Sequence, residues 1–272
     1  MTRPRILLFD SGMGGLTVAR AVAKQLPDAH LIYSADNAGF PYGAWKEKPL
    51  VERIRSVMGA LIERAKPDIV VVACNTASTI AIADLRAHFT VPFVGTVPAI
   101  KPAAAQTKSG IIGVLATPGT VNREYTHSLI HTYAYHCKVF LHGAPRLAEI
   151  AEQKLRGHKV DMAELADEVA PVFRKRDGGR TDVVVLGCTH YPLLTDEIAE
   201  VAPWPVIYID PSPAIARRAA DVAEETVLKG LDAGVPVHGT VLLTAARSET
   251  SETLAAYDSM GFPKHEILDL PV

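Results

Sequence analysis

The sequence predicts an α/β protein made of two related parallel-sheet units. Three observations predict it. Short runs rich in valine, isoleucine and leucine alternate with longer amphipathic stretches along the 272 residues. Two of these runs share a pattern: DIVVVACNTAST from Asp68 and DVVVLGCTHYPL from Asp182 each pass from an acidic residue through apolar residues to a cysteine. Their offset is constant, 182 − 68 = 114 and 188 − 74 = 114. A second pair, ILLFDSGMGGLTV (6–18) and IIGVLATPGTV (111–121), precedes the first pair in the same order.

In chain order, RILLF (5–9) reads as a strand because a continuous apolar run suits a sheet covered by helices on both faces. The glycine-rich DSGMGG turn leads to a helix over 16–25. HLIYS (30–34) is the second strand, followed by the polar, turn-rich ADNAGFPYG and a helix over 50–65. DIVVVA (68–73) is a strand, 77–88 a helix and PFVG (92–95) a strand. GTVPAIKPAAAQTKSG (95–110), with two prolines and small residues, reads as a crossing into a new unit. That unit begins with GIIGVL (110–115), a helix over 120–132, KVFLH (138–142), a helix over 160–175 and DVVVLG (182–187). APWPVIYIDPSP (202–213), whose four prolines bracket the strand 206–209, reads as the crossing back. A helix over 213–229, the strand TVLLTA (240–245), a helix over 249–260 and EILDL (266–270) then complete the first sheet. Strand–helix alternation of this kind points to parallel sheets with right-handed crossovers. The expected division is 1–97 with 210–272 as one domain and 98–209 inserted as the second.

Composition excludes several classes of function. Hydrophobic residues at 48% supply a core, and a formal net charge of −2 without a basic run lacks the footprint of a nucleic-acid binder. No apolar stretch approaches the roughly 20 residues that span a bilayer. The N-terminal apolar run meets Asp10 too early for a signal peptide, so a cytoplasmic place is expected. Three cysteines, an odd number, argue against a disulfide framework, and no spacing suits zinc, so no metal is expected. Cys137, in YAYHCKVFL, reads as a small buried apolar residue.

In open parallel sheets a ligand binds beyond the carboxyl ends of the strands. DSGMGG, CNTAS, ATPGT and GCTHY all fall there. If the two units face each other, Cys74 and Cys188 approach one bound molecule from opposite sides. Inverting a carbon centre by proton transfer needs that arrangement: a base on one face and a conjugate acid on the other. A thiol suits the work if its pKa is lowered, and each cysteine precedes an expected helix start, where amides and the dipole favour an anion. Asp10 near Cys74 and His190 near Cys188 could pass protons, although alone they read as a turn cap and a helix-start hydrogen-bonder. DSGMGG lacks the lysine of a P-loop and the spacing of GxGxxG, and its amides with Ser11 could hold a carboxylate.

FDSGMGGLTV, ADNAGFPYG, VVACNTAS, GVLATPGTV and LGCTHYPLL together resemble the glutamate racemase family, in its order and at about its spacing. The resemblance implies two pseudosymmetric, flavodoxin-like domains with the active site in the cleft between them. It implies two-thiol racemisation of L-glutamate to D-glutamate for bacterial peptidoglycan, with no cofactor. By that resemblance Cys74 and Cys188 are the catalytic pair, assisted by Asp10 and His190. Cys74 serves as the base toward D-glutamate and Cys188 toward the L-enantiomer. Substrate contacts are implied for Asp10, Ser11, Pro41, Tyr42, Gly43, Asn75, Thr76 and Thr189, with Thr117 and Thr120 in a threonine-bearing loop. Glu152 aligns with a family glutamate near the histidine, although Ala144 stands where the family usually has cysteine. Glutamate is the expected partner, no nucleic acid or membrane is expected, and a homodimer is left open. The rival readings are aspartate racemase, another two-cysteine relative such as a hydantoin racemase or maleate isomerase, and a non-catalytic binding protein on the same fold. A pyridoxal-phosphate enzyme would need a lysine at a strand end, and none stands there.

Overall fold

The computed structural model describes residues 3–226, 234–235, 238–246, 250–270 and 272. β1 (Arg5–Asp10) leads to α1 (Leu16–Gln25), β2 (His30–Ala35) to α2 (Glu47–Ala65) and β3 (Ile69–Val72) to α3 (Asn75–His88). β4 (Phe93–Val94) and α4 (Ile100–Gln106) follow. Next come β5 (Ile111–Ala116), α5 (Pro118–Val121), α6 (Glu124–Tyr133), β6 (Lys138–Gly143), α7 (Leu147–Leu155) and α8 (Met162–Val169). The short strands β7 (Lys175–Arg176) and β8 (Gly179–Arg180) precede β9 (Val183–Gly187), α9 (Thr195–Val201), β10 (Ile207–Ile209) and α10 (Ser212–Glu225). Last are β11 (Thr240–Leu243), α11 (Ser251–Ser259) and β12 (Lys264–Ile267).

These strands form two parallel sheets, β12-β11-β2-β1-β3-β4 and β10-β9-β5-β6, beside a small β7–β8 hairpin. Within them β2-β1-β3-β4 and β6-β5-β9-β10 follow the same spatial order, so one plan occurs twice. The register fixes the equivalence: Ile6 faces Ile69 in one sheet and Ile112 faces Val183 in the other. β9 therefore repeats β3 at 183 − 69 = 114, while β5 repeats β1 at 112 − 6 = 106. The strings at 6 and 111 are thus matched one residue out of register. At the true offset Ala116 stands where Asp10 does, and Thr117 where Ser11 does.

The inner strands are buried on both faces, which is why they read as unbroken apolar runs, while the edge strands β6, β10 and β12 are partly exposed. Ile6, Leu8, Ile69 and Val71 pack against α1, α10 and α11, while Leu7, Phe9, Val70 and Val72 pack against α2 and α3. In the second sheet Val184 and Leu186 meet α7, α8 and α9, and Val183 and Val185 meet α4. The C-terminal return completes the first sheet, with β11 lying along β2 and β12 along β11.

Several expected boundaries move. The crossing at 95–110 contains α4, whose Pro102 sits in the first turn, where a missing N–H costs no helix bond. The helix expected over 120–132 is two pieces, α5 and α6. The one expected over 160–175 stops at Val169, passes through a turn containing Pro171 and enters the hairpin. Asp177 and Gly178 close that hairpin with positive φ at both positions, the backbone a two-residue turn prefers. α7 and α9 were not expected. β12 starts at Lys264, two residues before the apolar run, because Lys264 pairs with Thr240. Positions 227–229 and 249 of the expected helices lie outside the described residues.

Candidate active site

β1 ends at Asp10, and the loop after it is organised by acceptors rather than left open. Asp10 is fully buried; its Oδ1 accepts from the Gly12 amide at 2.9 Å and its Oδ2 from Thr189 Oγ1 at 3.0 Å. Burial pushes this carboxyl above the ordinary range, with His190, the Gly12 amide and Thr189 opposing the rise. The Met13 amide donates to Glu152 Oε1 at 2.7 Å, and the Gly14 amide approaches His190 Nε2 at 3.1 Å. Of the amides expected to hold a ligand carboxylate, that of Gly12 is therefore taken by Asp10 and those of Met13 and Gly14 are directed at groups of the second sheet's unit. Glycine is required for that approach. A Cβ on Gly12 would lie 2.2 Å from Glu152 Oε1, and one on Gly14 would lie 2.3 Å from the His190 ring.

Cys74 ends the β3 loop as the residue before α3, and Ser11 Oγ lies 3.9 Å from its sulfur. Asp10 makes no hydrogen bond to the thiol; the two interact through space. The expected lowering of this thiol's pKa is not what the site produces. Burial, then the charge of Asp10, pushes Cys74 well up, against the Ala77 amide and Ser11, which hold it down. The amides of α3 are present, but removing water from a buried thiolate costs more than they return.

Cys188 follows β9. The expected helix start is missing here, since Tyr191–Leu194 form a 3₁₀ turn and α9 begins only at Thr195. Its partner is His190, with Nδ1 at 3.7 Å from the sulfur. On the far side of the ring, Nε2 lies 3.0 Å from Glu152 Oε1. One ring nitrogen cannot donate to a carboxylate and accept from the Gly14 amide together. The carboxylate is the partner that fits the charges. Burial alone would lower His190, but contacts with Cys188 and Glu152 carry it well above its ordinary value. Burial alone would raise Glu152, but His190, the Met13 amide and Arg156 carry it below. The ring is thus held between the Glu152 carboxylate and the Cys188 sulfur.

A cavity of about 20 Å³ lies between the thiols. It has room for about one water, less than an amino acid occupies. Ser11, Pro41, Tyr42, Gly43, Cys74, Asn75, Thr76, Thr117, Cys188, Thr189 and His190 line it, together with Phe40 and Ala148. Asn75 is buried with neither its Oδ1 nor its Nδ2 hydrogen-bonded. Thr76 and Thr117 hydroxyls meet at 3.2 Å across the cleft. Asp10, Thr120 and Glu152 stand behind the wall: Thr120 is fully buried and backs Thr117 at 2.9 Å. The Tyr42 hydroxyl is turned away to Asp36 at 2.5 Å.

Sequence reasoning missed Phe40, whose ring centroid sits 5.5 Å from that of His190, and the buried Asp36. Asp36 is gripped by Arg53 at 2.6 and 2.8 Å and by Thr244 at 2.6 Å, fixing the loop that carries Tyr42. Its place after β2, at the carboxyl end of a strand, was the available signal. Cavities of about 590 and 580 Å³ lie elsewhere, one lined by Arg5, Lys66 and Phe89 and one by Thr96, Tyr208 and Arg217. Neither contains a thiol, so the chemistry is assigned to the smaller one.

Residues 16–219 match the Asp/Glu/hydantoin racemase family. The chain is 56% identical over 214 residues to the glutamate racemase of Brucella anthropi and 55% identical over 214 residues to that of Brucella canis. Each match covers 78% of this chain and 77% of the relative. Among solved structures, Escherichia coli glutamate racemase in complex with L-glutamate and the activator UDP-MurNAc-Ala has a TM-score of 0.91 at 41% identity, over 98% of both chains. The isoform RacE1 from Bacillus anthracis has a TM-score of 0.79 at 29% identity over the whole of both chains.

Proposed function

This chain belongs to the Asp/Glu/hydantoin racemase family, and on that premise we propose that Cys74 and Cys188 exchange the α-proton of glutamate from opposite faces. Its activity is glutamate racemisation, interconverting the L- and D-enantiomers, and the role its family implies is supply of D-glutamate for peptidoglycan. One observation carries the assignment of the pair: the two thiols follow equivalent central strands and line one cavity. One cysteine, as thiolate, takes the α-proton while the other, as thiol, delivers one to the opposite face. Each then holds the protonation state the other began with, so the reverse reaction needs no reset.

The two sides use different helpers. His190, with Glu152 behind it, can pass a proton to or from Cys188. Ser11 touches Cys74, and Asp10 acts on it through space. Asn75, with donors and acceptor unpartnered in the wall, suits a substrate carboxylate or ammonium group, and the Thr76 and Thr117 hydroxyls offer further donors. Exclusion of water strengthens these contacts as charge builds on the α-carbon. In this reading a substrate ammonium group also offsets the Asp10 charge that raises Cys74, so the thiol ionises more readily once substrate is in place. Residues 1–97 with 210–272 form one domain, 98–209 form the other, and the cleft opens by their parting. A cytoplasmic place belongs to the same reading; no helix among the described residues is long and apolar enough to cross a membrane. A homodimer is a separate arm, decided by sedimentation.

The test is racemisation by purified enzyme without added cofactor. Both enantiomers of glutamate should reach a racemic mixture and take up one solvent deuterium at the α-carbon. Faster turnover of aspartate, or turnover only with added pyridoxal phosphate, would overturn the reading.

A further inference from the structure

We propose that Arg156 is a positioning residue for proton transfer at Cys188, acting through Glu152 and His190 and anchored on Thr253. The inference rests on the two-thiol reading of the site. Arg156 follows α7, and its Nη2 donates to Glu152 Oε2 at 2.7 Å. Its Nε donates to Thr253 Oγ1 at 3.0 Å. Thr253 lies in the first turn of α11, buried, its amide donating to the capping Thr250 hydroxyl at 3.3 Å. A single guanidinium thus joins a helix packed on the second sheet to one packed on the first.

The two oxygens of Glu152 have separate duties. Oε1 serves the Met13 amide and His190, while Oε2 serves Arg156. Those contacts fix the rotation of the carboxylate. Without Arg156 only the Oε1 contacts with the Met13 amide and His190 remain, and the broad terminal torsion lets that oxygen shift off the His190 axis. His190 would then lose the partner that aims its Nδ1 at Cys188. A common surface pair spaced four apart on a helix has both ends in water. Here the arginine side chain is 27% exposed but the carboxylate is only 4% exposed, and its other oxygen contacts the histidine of the site. Arg156 does not line the cavity, so substrate affinity is not its task. Lysine could not replace it, because a single ammonium lacks the planar fork that spans Glu152 and Thr253.

Arg156→Gln and Thr253→Val test this, with kcat, KM and the primary isotope effect measured for both α-deuterated enantiomers. In Arg156→Gln, kcat should fall about tenfold while KM stays within about twofold. The isotope effect should grow for the same enantiomer that shows growth in Cys188→Ser, and not for the other. Thr253→Val should move the same quantities less, since Arg156 keeps its bond to Glu152; it also decides the matter if Arg156→Gln does not fold. Unchanged isotope effects, equal growth with both enantiomers, or growth on the Cys74 side would each overturn the proposal. If Cys74→Ser and Cys188→Ser fail to separate the enantiomers, the two-thiol reading itself fails, whatever Arg156 does.

Discussion

Cys74 and Cys188 occupy equivalent positions in unlike surroundings, and that difference is measurable. Serine is a far weaker acid than cysteine, so each Cys→Ser change should slow proton transfer on its own face most, with kcat lower by about a hundredfold or more. Cys74→Ser should enlarge the primary isotope effect with α-deuterated D-glutamate, and Cys188→Ser with the L-enantiomer. Cys137→Ser, away from the cavity, should keep near-normal turnover; a dead Cys137→Ser would undo the pairing. Stability carries a second signature. Cys74 and His190 both titrate upward, so the folded chain keeps protons that the unfolded chain releases. Their contribution is complete below each group's ordinary value and is lost as pH rises from there through the folded value. Glu152 runs the other way, its contribution present above its ordinary value and lost as pH falls through its lowered one. The melting temperature should therefore decline with alkalinity, and above the ordinary thiol value of 9.0 the decline should be shallower in Cys74→Ser. An identical slope in the variant would contradict the buried-thiol account. At this scale the two cysteines were legible because their surroundings repeat. Asp36 with Arg53 and Thr244, and Phe40 against His190, depend on contacts between separate segments, which periodicity does not encode.

The element that couples the two halves is the β1–α1 loop. Its glycines resemble a phosphate cradle in sequence, but Gly12 and Gly14 are there because Glu152 and His190 come too close for a side chain. Gly14→Ala should therefore lower kcat by about tenfold or more by displacing the imidazole, with unaltered strand and helix content by circular dichroism. Wild-type turnover in Gly14→Ala would mean the ring has room the geometry denies. The inner strands were readable because burial on both faces leaves apolar runs with no gaps, whereas the exposed β7 and β8 carry no such run. Helices were less so. α4 is hidden by Pro98 before it and Pro102 within it, although Leu147, Ile150 and Ala151 of α7 carry the expected helical spacing. The end of the helix expected over 160–175 was signalled by Pro171 and the hairpin after it by Asp177-Gly178, against an otherwise amphipathic background.

For the whole molecule, the repeat of four strands in one order makes the two sides of the cleft geometrically alike, while Asp10 against Ala116 and His190 against Thr76 make them chemically unlike. The two enantiomers of glutamate are mirror images, so the equilibrium constant is unity. Any substitution must then change kcat/KM equally in both directions, however one-sided its effect. Equal kcat/KM for L- and D-glutamate is thus expected of every variant above, and a lasting inequality would expose a faulty assay or an unintended second reaction. The 114-residue repeat made this architecture visible in the sequence. What it could not give was the separate 106-residue offset of β1 and β5, because insertions between strands change the spacing without changing the sheet. The sheet order has a further consequence, for the making of the chain. β2 is complete at residue 35, but its neighbour β11 begins only at residue 240. At roughly 5–20 residues per second of synthesis, the edge of β2 waits about 10–40 s for its partner. A waiting edge invites pairing with other chains. Every strand of the second sheet lies between residues 111 and 209, so that sheet can close while the first still stands open. A chain stopped after residue 226 should accordingly aggregate through the exposed β2, measured as loss from the soluble fraction. The half written first on the ribosome is the last to be finished.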